Sequence, residues 1–168
     1  RGKVHWLKVY EIPDVGAAGK GKAIVNLINL ERGERIADMI AVQDFRDPGY
    51  VVMVSKLGHI KKTELQAFSN PRAAGIIACS VADDDEVIAA DVTAGTEHIL
   101  LFSKQGKAIR FSEEEVRDMG RTARGVRGIA LRGRDQVVSM AIIRDQAGDV
   151  LAVTENGYGK RTPVVEYR

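Results

Sequence analysis

The stretch Asp149-Val150-Leu151-Ala152-Val153-Thr154-Glu155-Asn156-Gly157-Tyr158-Gly159-Lys160-Arg161 reads as one structural unit. A β-rich apolar run enters, Asn156-Gly157 reverses it, and a short basic run leaves. Glycine suits such a turn because it adopts positive φ without a steric cost. The unit recurs. Tyr50 to Val54 leads through Ser55-Lys56-Leu57-Gly58 into His59-Ile60-Lys61-Lys62, and His98 to Phe102 leads through Ser103-Lys104-Gln105-Gly106 into Lys107-Ala108-Ile109-Arg110. Arg1-Gly2-Lys3-Val4 is a fourth copy without the entering strand. The aligned glycines, Gly2, Gly58, Gly106 and Gly157, lie 56, 48 and 51 residues apart.

A second series keeps the same period. Leu30 to Ile36, Val81 to Val87 and Leu131 to Val137 are equivalent, their starts 51 and 50 residues apart. A period near 50 with several short strands is the signature of propeller blades. Each full repeat adds two more strands after its hairpin, Gly75 to Val81 then Val87 to Val92, and Gly125 to Leu131 then Val137 to Ile143. Ser112-Glu113-Glu114-Glu115 has the capping-box pattern. Phe68, Val116 and Tyr167 each fall ten residues after a hairpin glycine and are expected to plug a core. The expected fold is all-β and propeller-like: residues 1–168 make about three blades plus an overhang, a partial ring cut from a longer chain.

Composition narrows the function. With 45% hydrophobic and 29% charged residues, the 168-residue chain reads as globular rather than disordered. Its longest apolar runs, such as Ile99 to Phe102, are too short to span a bilayer, so no membrane partner is expected. No basic start leads into an apolar segment, so no signal peptide is expected. The single cysteine, Cys79, excludes an intrachain disulfide and a Cys-rich zinc site, and fits a reducing compartment.

The net charge of +2 conceals a segregation. The hairpin turns and the loops leading into each third strand hold 17 of the 25 Lys and Arg and one of the 23 acids, Glu155. The hairpin series contains Lys61-Lys62, Lys107 with Arg110, and Lys160-Arg161. The loop series contains Lys20 and Lys22, Arg72, and the set Arg121, Arg124 and Arg127. A repeating fold places equivalent loops on equivalent parts of each blade, so these bases are expected to form a cationic rim. Such a rim suits a phosphate backbone, whose attraction is long-ranged and independent of sequence. Gly120-Arg121-Thr122-Ala123-Arg124-Gly125-Val126-Arg127-Gly128 is the most distinctive loop, because its small residues let phosphates approach. Aromatic residues are only 5% of the chain and no stacking platform is evident, which favours duplex over single strands. The acids, Asp83-Asp84-Asp85-Glu86 among them, are expected at the opposite turns, keeping DNA off that side. The alternative is a propeller scaffold that binds an acidic protein.

Several chemical signals fail. Gly16-Ala17-Ala18-Gly19-Lys20-Gly21-Lys22-Ala23 fits G-x-x-x-x-G-K but lacks the following Ser or Thr, and a strand-like Ile24-Val25 run follows instead of a helix. His5, His59 and His98 have no metal-ligand spacing. Cys79 sits in an apolar run and reads as a core residue. Tyr158 and Tyr167 fall at repeat positions, so structural roles are expected, and no catalytic residue is assigned.

The residues resemble a known family. Trp6-Leu7-Lys8-Val9-Tyr10-Glu11-Ile12-Pro13, Gly106-Lys107-Ala108-Ile109-Arg110-Phe111, Met119 to Ile129 and Thr154 to Pro163 look like the C-terminal domain of the DNA gyrase A subunit; the topoisomerase IV homologue is the near relative. The resemblance implies a β-pinwheel with strands exchanged between blades, and duplex DNA bent around its basic rim. It implies a bacterial, cytoplasmic, nucleoid-associated enzyme, in which the gyrase B subunit and the rest of the gyrase A polypeptide are partners in an assembly of two of each. The DNA-binding set would be the bases named above, and the wrap would bias strand passage toward negative supercoiling. ATP and Mg would be bound elsewhere in the full topoisomerase, so this part would carry no cofactor and no catalysis. One departure is that the family's Gln-Arg-Arg-Gly-Gly-Lys-Gly-like box is absent; Gly19-Lys20-Gly21-Lys22 echoes it only in part.

Overall fold

A computed structural model of the chain describes residues 2–167; Arg1 and Arg168, beside the first and last expected hairpins, lie outside them. The described residues form eleven strands and five short 3-10 turns, and none of these helices is long and apolar enough to cross a membrane. The strands are β1 (Lys3–Val4), β2 (Tyr50–Ser55), β3 (His59–Glu64), β4 (Ile76–Ile77), β5 (Val87–Thr93), β6 (His98–Ser103), β7 (Ala108–Ser112), β8 (Val126–Arg127), β9 (Val137–Ile143), β10 (Asp149–Val153) and β11 (Gly159–Pro163).

The three hairpins form where the repeat places them. Antiparallel pairs β2–β3, β6–β7 and β10–β11 turn at Gly58, Gly106 and Gly157, whose φ values are +86°, +82° and +82°. Gly2 holds the same conformation, at +66°. The second series is equally regular: Glu34, Asp85 and Asp135 close the same turn by donating their backbone N–H to the carbonyls of Glu31, Ala82 and Arg132, at 3.0–3.1 Å.

Sheet order shows how blades are completed. The second blade runs β5-β2-β3-β8, and its outer strand β8 comes from the next repeat. Likewise β4 pairs with β1 of the preceding repeat, through Lys3–Ile77 and Val4–Ile76. Neighbouring blades therefore exchange strands. The third blade shows β9-β6-β7 and the fourth β10-β11. Strands β5 and β9, each an edge strand of its sheet, lie together. There Arg144 crosses between blades to Asp91 at 3.1 Å and the Val92 carbonyl at 2.8 Å.

The core lies between blades. Val51 and Met53 of β2 face the first blade, packing with Leu65, Phe68, Ala78 and Cys79. Val52 and Val54 face the third, packing with Ile60, Ile99, Leu101, Val116, Ile129 and Val137. Leu100 of β6 faces the fourth, with Ile143 and Val164. Successive strand residues point to opposite faces, so a strand sandwiched between two blades is apolar without alternation. The core plugs are in place: Phe68 and Val116 are buried, and Tyr167 packs edge-on against Phe102 with ring centroids 5.7 Å apart. Ser112 caps its turn as the capping-box pattern requires.

Two expectations fail in detail. The strands expected over Gly75 to Val81 and Gly125 to Leu131 shrink to the two-residue β4 and β8. Ile24-Val25 is no strand but part of a 3-10 turn, Ile24–Asn26. Its backbone closes on itself, with Asn26 and Leu27 donating to Ala23 and Ile24 at 2.9 Å each, because no strand is paired beside it.

One core position is unusual. Glu113 is fully buried where the other repeats place Leu65 and Val164. It is tolerated because its carboxyl accepts bonds from the Thr93 hydroxyl at 2.7 Å and the N–H groups of Gly95 and Glu97 at 3.1 and 2.9 Å. Burial, with the neighbouring Glu97 carboxylate, pushes its pKa up.

Gly125 has φ +106°, and a Cβ there would sit against the Ile60 carbonyl oxygen where β8 meets β3. Gly106 has positive φ but open space around it. Gly106→Ala should therefore cost about 1 kcal/mol, from backbone strain alone. Gly125→Ala should cost more than twice that by adding the clash; urea unfolding of the two variants measures the difference.

Candidate nucleic-acid interface

The arginine loop is held along the outer edge of the second blade. It begins where Met119 donates to the Lys62 carbonyl at 2.8 Å, turns at Gly120 to Ala123, and runs antiparallel to β3. It ends with Arg127 opposite His59 and with Gly128 donating to the Gly58 carbonyl at 2.8 Å. The segment thus follows β3 from its far end up to the hairpin turn. Arg124 and Arg127 are exposed and Arg121 is half-buried. Among the described residues none of the three has an ion-pair partner.

The loop is fastened from beneath. Ser80 donates to the Ala123 carbonyl at 3.3 Å, and Cys79 Sγ lies 3.6 Å from the Arg124 carbonyl. Lys61 donates its ammonium to the carbonyls of Ala78 and Arg121. Lys61 is 1% exposed, so it is a strut under the arginine loop and is too buried to meet a phosphate. Desolvating an ammonium costs several kcal/mol, and bonds from a charged donor return about 1.5–3 kcal/mol each, so the position is close to balance. Burial accordingly holds the Lys61 pKa down to about 8. The Cys79 thiol is pushed up by burial, consistent with its expected place in the core.

Lys62 also leaves the expected DNA-binding set. It is 5% exposed and donates to the Glu113 carbonyl at 3.1 Å, lies 3.4 Å from Asp118, and stands 4.7 Å over the Tyr50 ring. Arg110, four residues after its glycine as Lys62 is, does the equivalent thing: it donates to the Val164 carbonyl at 3.1 Å and to the Gln146 side chain. Glu113 and Val164 are themselves equivalent, so the recurrent cation is a clasp from one blade to the next. Arg161 holds the same repeat position and pairs with Asp149 at 3.3 Å. A repeat of charge that suggested a rim is, for Lys62 and Arg110, a repeat of blade packing.

The other expected bases are exposed. Arg72, Lys20 and Lys22 stand on loops, and Lys160 on β11. Lys107 is exposed and donates to the Ala130 carbonyl at 2.7 Å.

The acids are not segregated to opposite turns. Asp85 accepts from Ser55 Oγ at 2.6 Å and from the Leu57 N–H at 2.9 Å, and Glu86 pairs with Lys56 at 3.2 Å. The Asp83–Glu86 turn therefore packs on the β2–β3 hairpin itself. The cause is repeated: Asp135 accepts from Gln105 N–H at 3.0 Å, and the Ser103 hydroxyl holds its pKa down. The β2–β3 and β6–β7 hairpins each take one inward carboxylate, which brings the acid turn to the basic end. Because that turn series was read as the acid side, sequence reading passed over Arg132 and Arg134, which are exposed, as is Lys104 of the β6–β7 hairpin.

Repeated antiparallel blades that exchange strands, the second of them four-stranded with an arginine-lined outer edge, define a propeller-type domain of the pinwheel kind. The family model described as "DNA gyrase C-terminal domain, beta-propeller" matches residues 1–43, 49–94, 97–144 and 148–168, and the chain belongs to that family. It is 49% identical over 167 residues to the DNA gyrase A subunit of Salmonella typhimurium, and 44% identical over 167 residues to that of Escherichia coli K12. Each alignment covers 99% of this chain and 19% of the relative, so the chain spans about a fifth of their length. The crystal structure of the C-terminal domain of DNA topoisomerase IV superposes with a TM-score of 0.89 at 30% identity, covering 100% of this chain and 52% of that one. The structure of a DNA gyrase A C-terminal domain gives 0.82 at 30% identity, covering 99% and 53%.

The Lys61 strut has a pH signature. Its pKa is lower folded than unfolded, so the unfolded chain holds more protons between about pH 8 and 10.5, and this group makes stability rise with pH in that window. Lys61→Met should abolish that rise, as thermal midpoints from pH 7.5 to 10 will record.

Proposed function

We propose that this chain is the duplex-DNA-wrapping part of a gyrase A polypeptide. The observation that carries the reading is the fixed loop with Arg121, Arg124 and Arg127 along the outer edge of the second blade. Binding is independent of sequence, because the loop offers charge and backbone amides and no element that enters a groove. Lys107, Lys160, Arg72, Lys20 and Lys22 extend the contacts to other exposed loops and strands. Bending a few tens of base pairs by 40–90° costs roughly 1–6 kcal/mol, which repeated phosphate contacts offset.

In this reading residues 1–168 belong to a longer ring, within a bacterial cytoplasmic topoisomerase of two A and two B subunits. The wrap biases strand passage toward negative supercoiling. Strand cleavage and the ATP and Mg sites lie elsewhere, and this part is not itself catalytic.

The test is binding to random-sequence duplex across a salt series. The log–log slope should be steep, and Arg121→Ala with Arg124→Ala and Arg127→Ala should lower it by about 3. An unchanged slope in the folded triple variant would remove the loop from the interface. Competition by an acidic protein but not by duplex would favour a scaffold instead.

A further inference from the structure

We propose that the duplex crosses the rim obliquely, moving toward the hairpin end as it passes from the second blade to the third. This rests on the DNA-wrapping reading above. The chain itself draws the line. Arg121, Arg124 and Arg127 ascend the outer edge of the second blade toward its hairpin turn, which Gly128 reaches. The chain then crosses to the hairpin end of the third blade, where Gln136 accepts the Lys104 N–H at 2.8 Å and Asp135 accepts the Gln105 N–H. Arg132 and Arg134 lie on that crossing, beside Lys104. All three are exposed, and among the described residues none has an ion-pair partner. A cleft of about 360 Å³ opens between Lys107 and Arg132 on the same end.

The equivalent turn of the second blade, residues 82–86, has the opposite sign, although Arg127 reaches the same hairpin end. The turns superpose by their hydrogen bonds: Lys56 donates to the Glu86 carbonyl as Lys104 does to Gln136, and Asp85 caps its hairpin as Asp135 does. In that frame Arg134 corresponds to Asp84 and Gly133 to Asp83, both aspartates being exposed. The Asp83–Glu86 turn therefore repels phosphate while the corresponding turn of the third blade attracts it. At 0.15 M salt the screening length is about 8 Å, so each sign acts locally and the two ends steer separately. A duplex held level against both blades would meet Asp83 and Asp84; an inclined one follows the arginines and avoids them.

Directed cleavage locates the path. Single cysteines carrying an iron chelate, in the full-length polypeptide that contains this chain, would probe both ends of each blade: Gln105→Cys and Glu114→Cys on the third, and at the equivalent positions Leu57→Cys and Gln66→Cys on the second. Bound random-sequence duplex should be cut mainly from position 105 on the third blade and from position 66 on the second. Arg132→Gln with Arg134→Gln should lower the salt slope by about 2 and weaken cutting from position 105. Asp83→Asn, made in the Gln66→Cys background, should weaken cutting from position 66. Equal cutting from both ends of each blade, with duplex binding intact, would overturn the oblique path and leave the wrapping reading standing. No duplex binding at any salt would overturn the wrapping reading, and the path with it.

Discussion

The second blade is complete only because Val126 and Arg127 arrive from the following repeat to pair with Ile60 and His59. That pairing constrains much else. It needs a glycine where the incoming chain passes within touching distance of the Ile60 carbonyl, and it brings the arginine loop onto the blade's outer edge. It also requires the loop's inner side to be satisfied by protein groups, which explains why an ammonium, Lys61, is buried beneath it with carbonyl partners. Arginine loop and core are one construction: the segment that closes the sheet presents the cations.

Charge in this molecule has two uses that are hard to separate by composition. Exposed arginines with no ion-pair partner among the described residues face outward, while Lys61, Lys62 and Arg110 bond carbonyls between blades or between crossover segments. Carboxylates divide likewise. Asp85 and Asp135 cap hairpin N–H groups, Glu113 stands in for an aliphatic residue, and Asp83 and Asp84 are exposed. A group inside a blade contact is fixed by hydrogen bonds of defined length, whereas an exposed one acts through a screened field.

The repeat was legible because hairpin glycines and apolar runs impose local patterns, and Gly58, Gly106 and Gly157 turn where their spacing places them. Strand exchange was not legible from the residues, since a two-residue strand such as β8 has no period; it came from the family resemblance. The placement of the bases was half legible. Arg124 and Arg127 lie exposed on the outer edge, but Lys62 and Arg110 share a repeat offset for a packing reason that a list of charges cannot reveal. The acid turn was misplaced because its side of the blade depends on which N–H group Asp85 caps, a contact between residues about thirty positions apart.

Strand exchange also governs how such a chain can change length. A gap of a few residues inside a repeat would shift the register of a strand that serves the preceding blade, so its damage would reach two blades at once. Removal or duplication of a whole repeat, about 50 residues, leaves every donor strand facing an equivalent acceptor. The perimeter available to a wrapped polymer can therefore grow or shrink only in steps of one blade, and the coding sequence is indivisible at that scale.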